Sequence, residues 1–538
     1  MAAVTISLNF SRFSRVLRLS LQQFPMIKTP RRVCASLLAA VMFCSCALAQ
    51  DNAPSPAPTS TRLLAQGPAG EVPPPSPQPE LTLEECIARA LQKNFDLEIE
   101  RFNPQIAKHS IAAAGAGYEP LLTASGSHGK GVTGAIGGSP SSSSTFSDVR
   151  VGASQRLYTG TTLSASSKLD RRASDPAFSA LNPAYNADLT LSARQSLLSG
   201  FGTKVNRAGI KRAEIGLERA NLEFKAQVLN VIQDTEIAYY NLAFAREQLT
   251  VFNTSYALAN RLFDEAKTRR DTGVATDLDV LSGEVGVANA RRNVVLAGQA
   301  VKDRQDALLA LIGQFELDAP VGAVRFPEVG TATPLFASSF QLARQNQPDF
   351  LSSRAAIEQF KLDLVLAKDA ARPDLSVGGA VGLNGNRGSG KDAFGDAFDR
   401  QNHSWQVDFS FSYPWGQTSD RARYRQSLAT LNREQVRLRQ IEQSIEVQVR
   451  SAVRSVDTNM ENVKIASLSS TLSLKQYELE KARFDAGLST SYRVLEAQTD
   501  LDTARVNELQ AKVALNSAIA ALHRIEGSSL QRYSVNLP

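Results

Sequence analysis

Residues 269–281 read RRDTGVATDLDVL, and residues 483–495 read RFDAGLSTSYRVL. In both, an Arg and an Asp lead to a Gly (Gly273, Gly487), and a Val-Leu pair (Val280-Leu281, Val494-Leu495) follows at the same distance. The offset is 214 residues, and it also carries Ala290-Arg291 onto Ala504-Arg505 and Gly202 onto Gly416. Earlier, Pro120-Leu121 lines up with Pro373-Asp374-Leu375, and Asp96 with Asp349, at an offset of 253. Self-similarity at a long fixed offset marks a duplicated supersecondary unit. The chain therefore reads as two repeats, 81–333 and 334–527, with a 39-residue insertion in the first between Pro120 and Gly202, and a tail, 528–538.

Each repeat reads as helix, strand-rich segment, long helix, sharp turn, helix. Thr203 to Arg270 holds no proline, and one apolar seam runs through it. Val231, Thr235, Ala238, Leu242, Ala245, Leu249, Phe252, Tyr256, Ala259, Phe263 and Ala266 alternate steps of four and three. That is heptad spacing, as in coiled coils, although an ordinary bundle core has it too. Length separates the two: 68 residues of helix run about 100 Å, too long for a compact globule. The second repeat offers Thr418 to Arg483, with Ile445, Val449, Ala452, Val456, Val463, Ala466 and Tyr477 along its seam. Thr82–Gly117 with Ala275–Gly313, and Leu335–Ala371 with Ser489–Gly527, predict pairs of shorter helices stacked end to end beside each long one. At the turns, a tight helix reversal calls for a left-handed residue, which Gly supplies at least cost.

The strand-rich segments alternate with period two. Trp405, Val407, Phe409, Phe411 and Tyr413 alternate with Gln406, Asp408, Ser410 and Ser412, and Leu375 to Leu383 form the partner strand. Leu189 to Arg194 and Val149 to Ser154 behave alike in the first repeat. This suits a membrane barrel, lipid outside and water inside, and equally a half-buried soluble sheet. Trp405, Tyr413 and Trp415, near the strand's ends, favour the barrel through the aromatic belts such barrels carry.

The formal charge of +6 points away from nucleic acid once it is located. Arg12, Arg15, Arg18, Lys28, Arg31 and Arg32 precede Gln50 with no acidic residue among them, and the rest balances at 53 Lys+Arg against 53 Asp+Glu. Residues 1–49 read as a secretory signal: a basic start at Lys28 to Arg32, an apolar run from Ala35 to Cys46, and Ala47-Leu48-Ala49 as cleavage site. Met26 is an alternative start, and Cys44 and Cys46 sit in poor context for lipid attachment. Residues 50–80 form a proline-rich linker. No later stretch is apolar enough for a spanning helix, so an integral membrane location requires strands.

The order, duplication and spacing of these features resemble the TolC-like outer membrane efflux proteins, the outer membrane factors of tripartite efflux and type I secretion systems. The matching stretches are Leu81 to Leu91 with Asn94 and Asp96, Tyr118 to Leu121, Gln195 to Gly202, and the two glycine turns with their Val-Leu pairs. The resemblance implies a homotrimeric channel-tunnel, part membrane β-barrel and part α-helical coiled-coil barrel, in the cell outer membrane with a periplasmic extension. It implies a periplasmic adaptor docked on the tips at Gly273, Val274, Gly487 and Leu488, an inner-membrane pump behind it, and no cofactor. Acidic residues beyond each tip glycine line the family's gate. Asp279 and Glu496 match, while Arg493 departs, leaving two readings of that pair: an Asp279–Arg493 latch, or two unrelated surface charges. The insertion, with strands near Ser147–Leu157 and Thr162–Leu169 around Tyr158-Thr159-Gly160, either adds a hairpin to the barrel, giving six strands per subunit, or stands as an extracellular or folded-in hairpin, leaving the family's common four; the second is expected.

Chemical motifs are few. Gly385 to Lys391 imitates a phosphate loop, but Asp392 stands where Ser or Thr is needed, and the stretch reads as a hairpin loop with no helix following in a βα unit. His109, His128, His403 and His523 are scattered, and Cys86 has no evident base. An enzyme is not expected. The competing reading is a periplasmic coiled-coil scaffold or adaptor without a pore.

Overall fold

The computed structural model describes residues 81–134, 141–175, 180–313, 321–326, 334–399 and 402–535, all within one structural unit. The expected signal (1–49) and linker (50–80) lie outside the described residues. Helices α1 (Leu83–Lys93), α2 (Phe95–Glu100) and α3 (Phe102–Ala116) lead into strands β1 (Leu121–Thr133), β2 (Ser142–Arg156), β3 (Thr161–Asp175) and β4 (Ala184–Ser196). Next come α4 (Thr203–Asn206), the long α5 (Ala208–Asp271) and α6 (Asp277–Ile312). The order then recurs as α7 (Phe336–Asn346), α8 (Pro348–Ala370), β5 (Asp374–Arg387), α9 (Gly390–Phe398), β6 (His403–Ser412), the long α10 (Thr418–Asp485), α11 (Ser491–Glu526) and a final turn, α12 (Ser529–Arg532).

The 64-residue α5 and 68-residue α10 run about 96 and 102 Å. The expected first helices are broken where side chains cap better than they continue. Asn94 ends α1 and accepts from the backbone N–H groups of Asp96 and Leu97 at 3.0 and 3.2 Å, starting α2. Pro348 occupies the first position of α8, where its missing N–H costs nothing.

The α5 seam is buried at Val231, Thr235, Leu242, Ala245, Ala259 and Ala266, with Thr235 and Leu242 wholly enclosed, and half-buried at its other positions. One core joins Ile87, Ala90 and Leu97 to Val228, Leu229, Ile232, Leu308 and Ile312, and the second joins Phe350 to Val449, Val456, Leu515 and Leu522. Each large side chain buried there contributes about 1.5–3 kcal/mol. Cys86 belongs to the first core, and burial pushes its thiol pKa up to about 12, so it behaves as a small apolar residue. Tyr533 of the tail donates to buried Glu236, whose carboxyl is pushed above its ordinary pKa by burial.

Near the sheet, α3 packs on α5, α5 on α8 and α8 on α10; toward the turns, α6 packs on α5, α5 on α11 and α11 on α10. The row of helices thus ends on α3 or α6 at one side and on α10 at the other. The sheet follows suit, being antiparallel throughout in the order β1-β2-β3-β4-β5-β6, with β1 and β6 at its edges.

Six strands in one sheet correct the expectation of a projecting insertion. Offsets of 253 and 214 map β1 onto β5 and β4 onto β6, so the inserted hairpin is β2–β3. It is zipped into the ladder on both sides, Ser125 facing Arg150 and Leu163 facing Ala193. The phosphate-loop mimic lies, as expected, in the connection of an antiparallel hairpin, β5–β6, but that connection holds a nine-residue helix, α9, starting at Gly390. Ser389 caps that helix, accepting from the Asp392 N–H at 3.3 Å, so Asp392 is a capping residue. Among the described residues no helix is long and apolar enough to cross a membrane.

Candidate functional site

Both helix reversals have the same geometry. Gly273 and Gly487 stand at φ +78° and +76°. Around the first, the Gly273 N–H donates to the Arg270 carbonyl at 2.8 Å and the Val274 N–H to that of Arg269 at 2.9 Å. Gly487 to Phe484 and Leu488 to Arg483 repeat the pair at 2.9 and 2.8 Å. This double closure satisfies the last carbonyls of each long helix. The apolar residue after such a glycine normally packs back on its helix. Here Val274 and Leu488 are 78% and 74% exposed, which leaves two apolar tips in solvent.

The residues beyond the glycines differ. Asp279 closes a capping box: Thr276 donates its N–H at 2.9 Å and its hydroxyl at 2.7 Å to the Asp279 carboxylate, and the Asp279 N–H returns to the Thr276 hydroxyl at 3.3 Å. These hydrogen bonds hold the Asp279 carboxyl below its ordinary pKa. The cap's contribution is present above the ordinary carboxylate pKa and is lost as pH falls through the lowered folded value. Arg493 is the positional equivalent in α11, and Thr490 makes no side-chain cap there. Within one chain the Asp279 carboxylate engages Thr276 of its own turn, and Arg493 and Glu496 lie exposed. Restoring an acid, Arg493→Asp, should complete the second box and remove a cation from a helix N-terminus. The expected gain is about 1 kcal/mol, read as slower hydrogen exchange over the first turn of α11.

Sequence reasoning missed the contact that joins the tips. Arg269 lies over the Phe484 ring, 4.1 Å from its centre, and Phe484 is buried with Leu262 and Val494. The available signal was the replacement of Arg270 by Phe484 at the repeat offset, an apolar residue where its counterpart is charged.

The sheet has two unlike faces. Register places Leu122 and Ala124 of β1, Val149 and Val151 of β2, Leu163 and Leu169 of β3, Leu189 and Leu191 of β4, Val377 and Val381 of β5, and Trp405, Val407, Phe409 and Phe411 of β6 on one face. Most are exposed, Phe409 to 74%. The other face is polar and bridged from strand to strand. Arg194 of β4 reaches across β5 to Asp408 of β6 at 2.7 Å and donates to Ser376 at 3.0 Å on the way. Gly378 makes that crossing possible, since a Cβ there would lie 2.4 Å from the Asp408 carboxylate. Asn186–Asn386 at 2.6 Å and Ser164–Ser192 at 2.9 Å continue the polar ladder. Trp405 stands toward the far end of β6, with Tyr413 and Trp415 just past its helix end, so about 26 Å of strand separates the aromatic levels.

Among the described residues no group of His, Cys, Asp or Glu is arranged to hold a metal ion. Compared with known proteins, residues 179–314 and 340–528 match the family model described as outer membrane efflux protein. The chain is 25% identical over 329 residues to the pyoverdine export outer membrane protein OpmQ of Pseudomonas aeruginosa, a match spanning 58% of this chain and 64% of that relative. The outer-membrane channel OprN superposes with a TM-score of 0.63 at 18% identity, covering 83% of this chain and 89% of its own. The CmeC outer membrane channel of Campylobacter jejuni does so at 0.62 and 17%, covering 85% and 90%.

Proposed function

Because the chain belongs to the outer membrane efflux protein family, we propose that three copies close head to tail into a passive channel, a barrel in the outer membrane continued by a helical tube on the periplasmic side. The sheet carries this reading: one face is apolar and largely bare, the other polar and cross-bridged, and both edges are open. An open edge cannot sit in lipid, where each unsatisfied N–H or C=O costs several kcal/mol. Pairing β1 of one copy with β6 of the next removes every edge.

The helices support the same closure. On one flank α6 exposes Leu278, Leu281, Val285 and Val295, and on the other α10 exposes Ile465, Leu468, Leu472 and Leu479, both at heptad spacing. Two different complementary surfaces make a heterologous contact, which closes into a ring when the rotation suits. Six strands per copy give eighteen in a trimer, a size at which barrels hold an aqueous channel. The polar face then lines the lumen, and its charges of both signs suit hydrated cargo. Val274 and Leu488 are the surfaces for a periplasmic adaptor, and Asp279, Arg493 and Glu496 lie where the lumen narrows. Energy comes from the inner-membrane pump behind that adaptor.

Electron microscopy of detergent-extracted mature protein, with conductance in planar bilayers, tests this. The expected result is conducting trimers with an eighteen-stranded barrel. A detergent-independent rod without conductance would promote the pore-less scaffold instead.

A further inference from the structure

Helix α9, in the β5–β6 connection, is the one described helix seated on the apolar face of the sheet. Gly385 shares that face with Val381 and Leu383, and a Cβ on it would lie 1.9 Å from the Ala393 carbonyl oxygen of α9. A Cβ on Gly390, at the start of α9, would likewise lie 3.4 and 3.5 Å from Leu169 and Tyr185, both on the same face. Ala187, directly opposite Gly385, is 0% exposed although its face is otherwise bare. Ala393 and Ala397 are buried against the sheet, and Phe398, about a hundred degrees further round the helix, is 63% exposed. Asp396 pins the element, holding Arg387 at 2.5 Å and accepting from the Asn386 N–H and the Asn402 amide at 3.3 Å each.

We propose that α9 is an in-plane interfacial helix, lying outside the barrel wall at the outer surface of the membrane with Phe398 at the boundary of acyl chains and headgroups. The inference rests on the barrel reading. The covered row, Leu169–Ala187–Gly385, is four residues beyond the Trp405–Val381 row. That is about 13 Å along the strand, or roughly 9 Å in depth at a 45° tilt. The helix is therefore continuous with the apolar band and displaced to the headgroup side of its aromatic level, where amphipathic helices bury one face by 5–10 Å. Lys391, Asp392 and Asp399 stay exposed, as a helix half in water requires.

The chain has two tryptophans, which allows a direct test in vesicles of phosphatidylcholine brominated near the headgroup end of its acyl chains. One protein carries Phe398→Trp with Trp405→Phe and Trp415→Phe; its companion keeps Trp405 alone. Quenching of the Phe398→Trp emission by about half, with shielding from aqueous acrylamide, is the expected result. If Trp405 is quenched and the Phe398→Trp probe is not, α9 stands in water and the inference falls while the barrel survives. If Trp405 is unquenched too, the barrel reading itself fails. Adding Gly385→Val to the probe protein should lift α9 off the wall and abolish the quenching at 398, with Trp405 unaffected in the companion. Unchanged quenching at 398 would show that α9 is not held on this face.

Discussion

Phe409→Arg should abolish stable insertion, whereas Gln406→Arg, on the same strand, should leave it intact. Phe409 lies in the bare apolar face opposite Val377, and Gln406 lies in the polar face opposite Ala380. Near the bilayer midplane an outward arginine costs about 2–4 kcal/mol, and a trimer incurs that cost three times. In the proposed barrel an arginine at 406 would instead join Arg194 and Asp408 on the lumen-facing side. The measurement is the fraction of protein resisting urea extraction from membranes and retaining a heat-modifiable gel shift. For Phe409→Arg that fraction should fall by at least 30-fold, the equivalent of 2 kcal/mol. A pore-less scaffold predicts the reverse, since trading an exposed Phe for Arg would only raise solubility. Equal behaviour of the two variants would remove the two-faced barrel.

The features readable from sequence were those enforced by repetition. Eleven seam residues of α5 stepping by four and three mark one unbroken helix from Val231 to Ala266, and a glycine at each reversal is demanded by φ near +77°. The inserted hairpin was misplaced for a physical reason. Its apolar face is thin, with Val149, Val151, Ala153, Leu163 and Ala165 interspersed with Ser, so periodicity shows strands but does not show whether neighbours pair with them. Register supplied that answer through β1 and β4, more than ten residues on each side. Helix α9 was hidden because nine residues with two glycines carry little helical signal; Asp396 and the bare site at Gly385 hold it in place. Spacing places Asp279 and Arg493 at equivalent positions of the two repeats, but it does not reveal the Thr276 contacts that the Asp279 carboxylate makes within its own turn.

Leu472→Asp on α10 should convert the proposed trimer to monomers without unfolding the chain. In the single chain Leu472 is exposed together with Ile465, Leu468 and Leu479, so its replacement removes no intrachain core contact. In the ring the same side chain would face α6 of the neighbouring copy. Each of three interfaces then loses about 2–3 kcal/mol of burial and gains an unpaired buried carboxylate, which costs more unless it protonates. Mass measured in detergent should drop to one third while helical circular dichroism is unchanged. A paired substitution checks the partner: Val295 and Ile465 each lie 22 residues from their tip glycine, so α6 and α10 should carry them at matching height. Val295→Cys with Ile465→Cys should give covalently linked trimers on oxidation, with Cys86 too buried to compete. Crosslinking confined to single chains would place the two flanks against each other within one copy and leave no surface with which to close the ring.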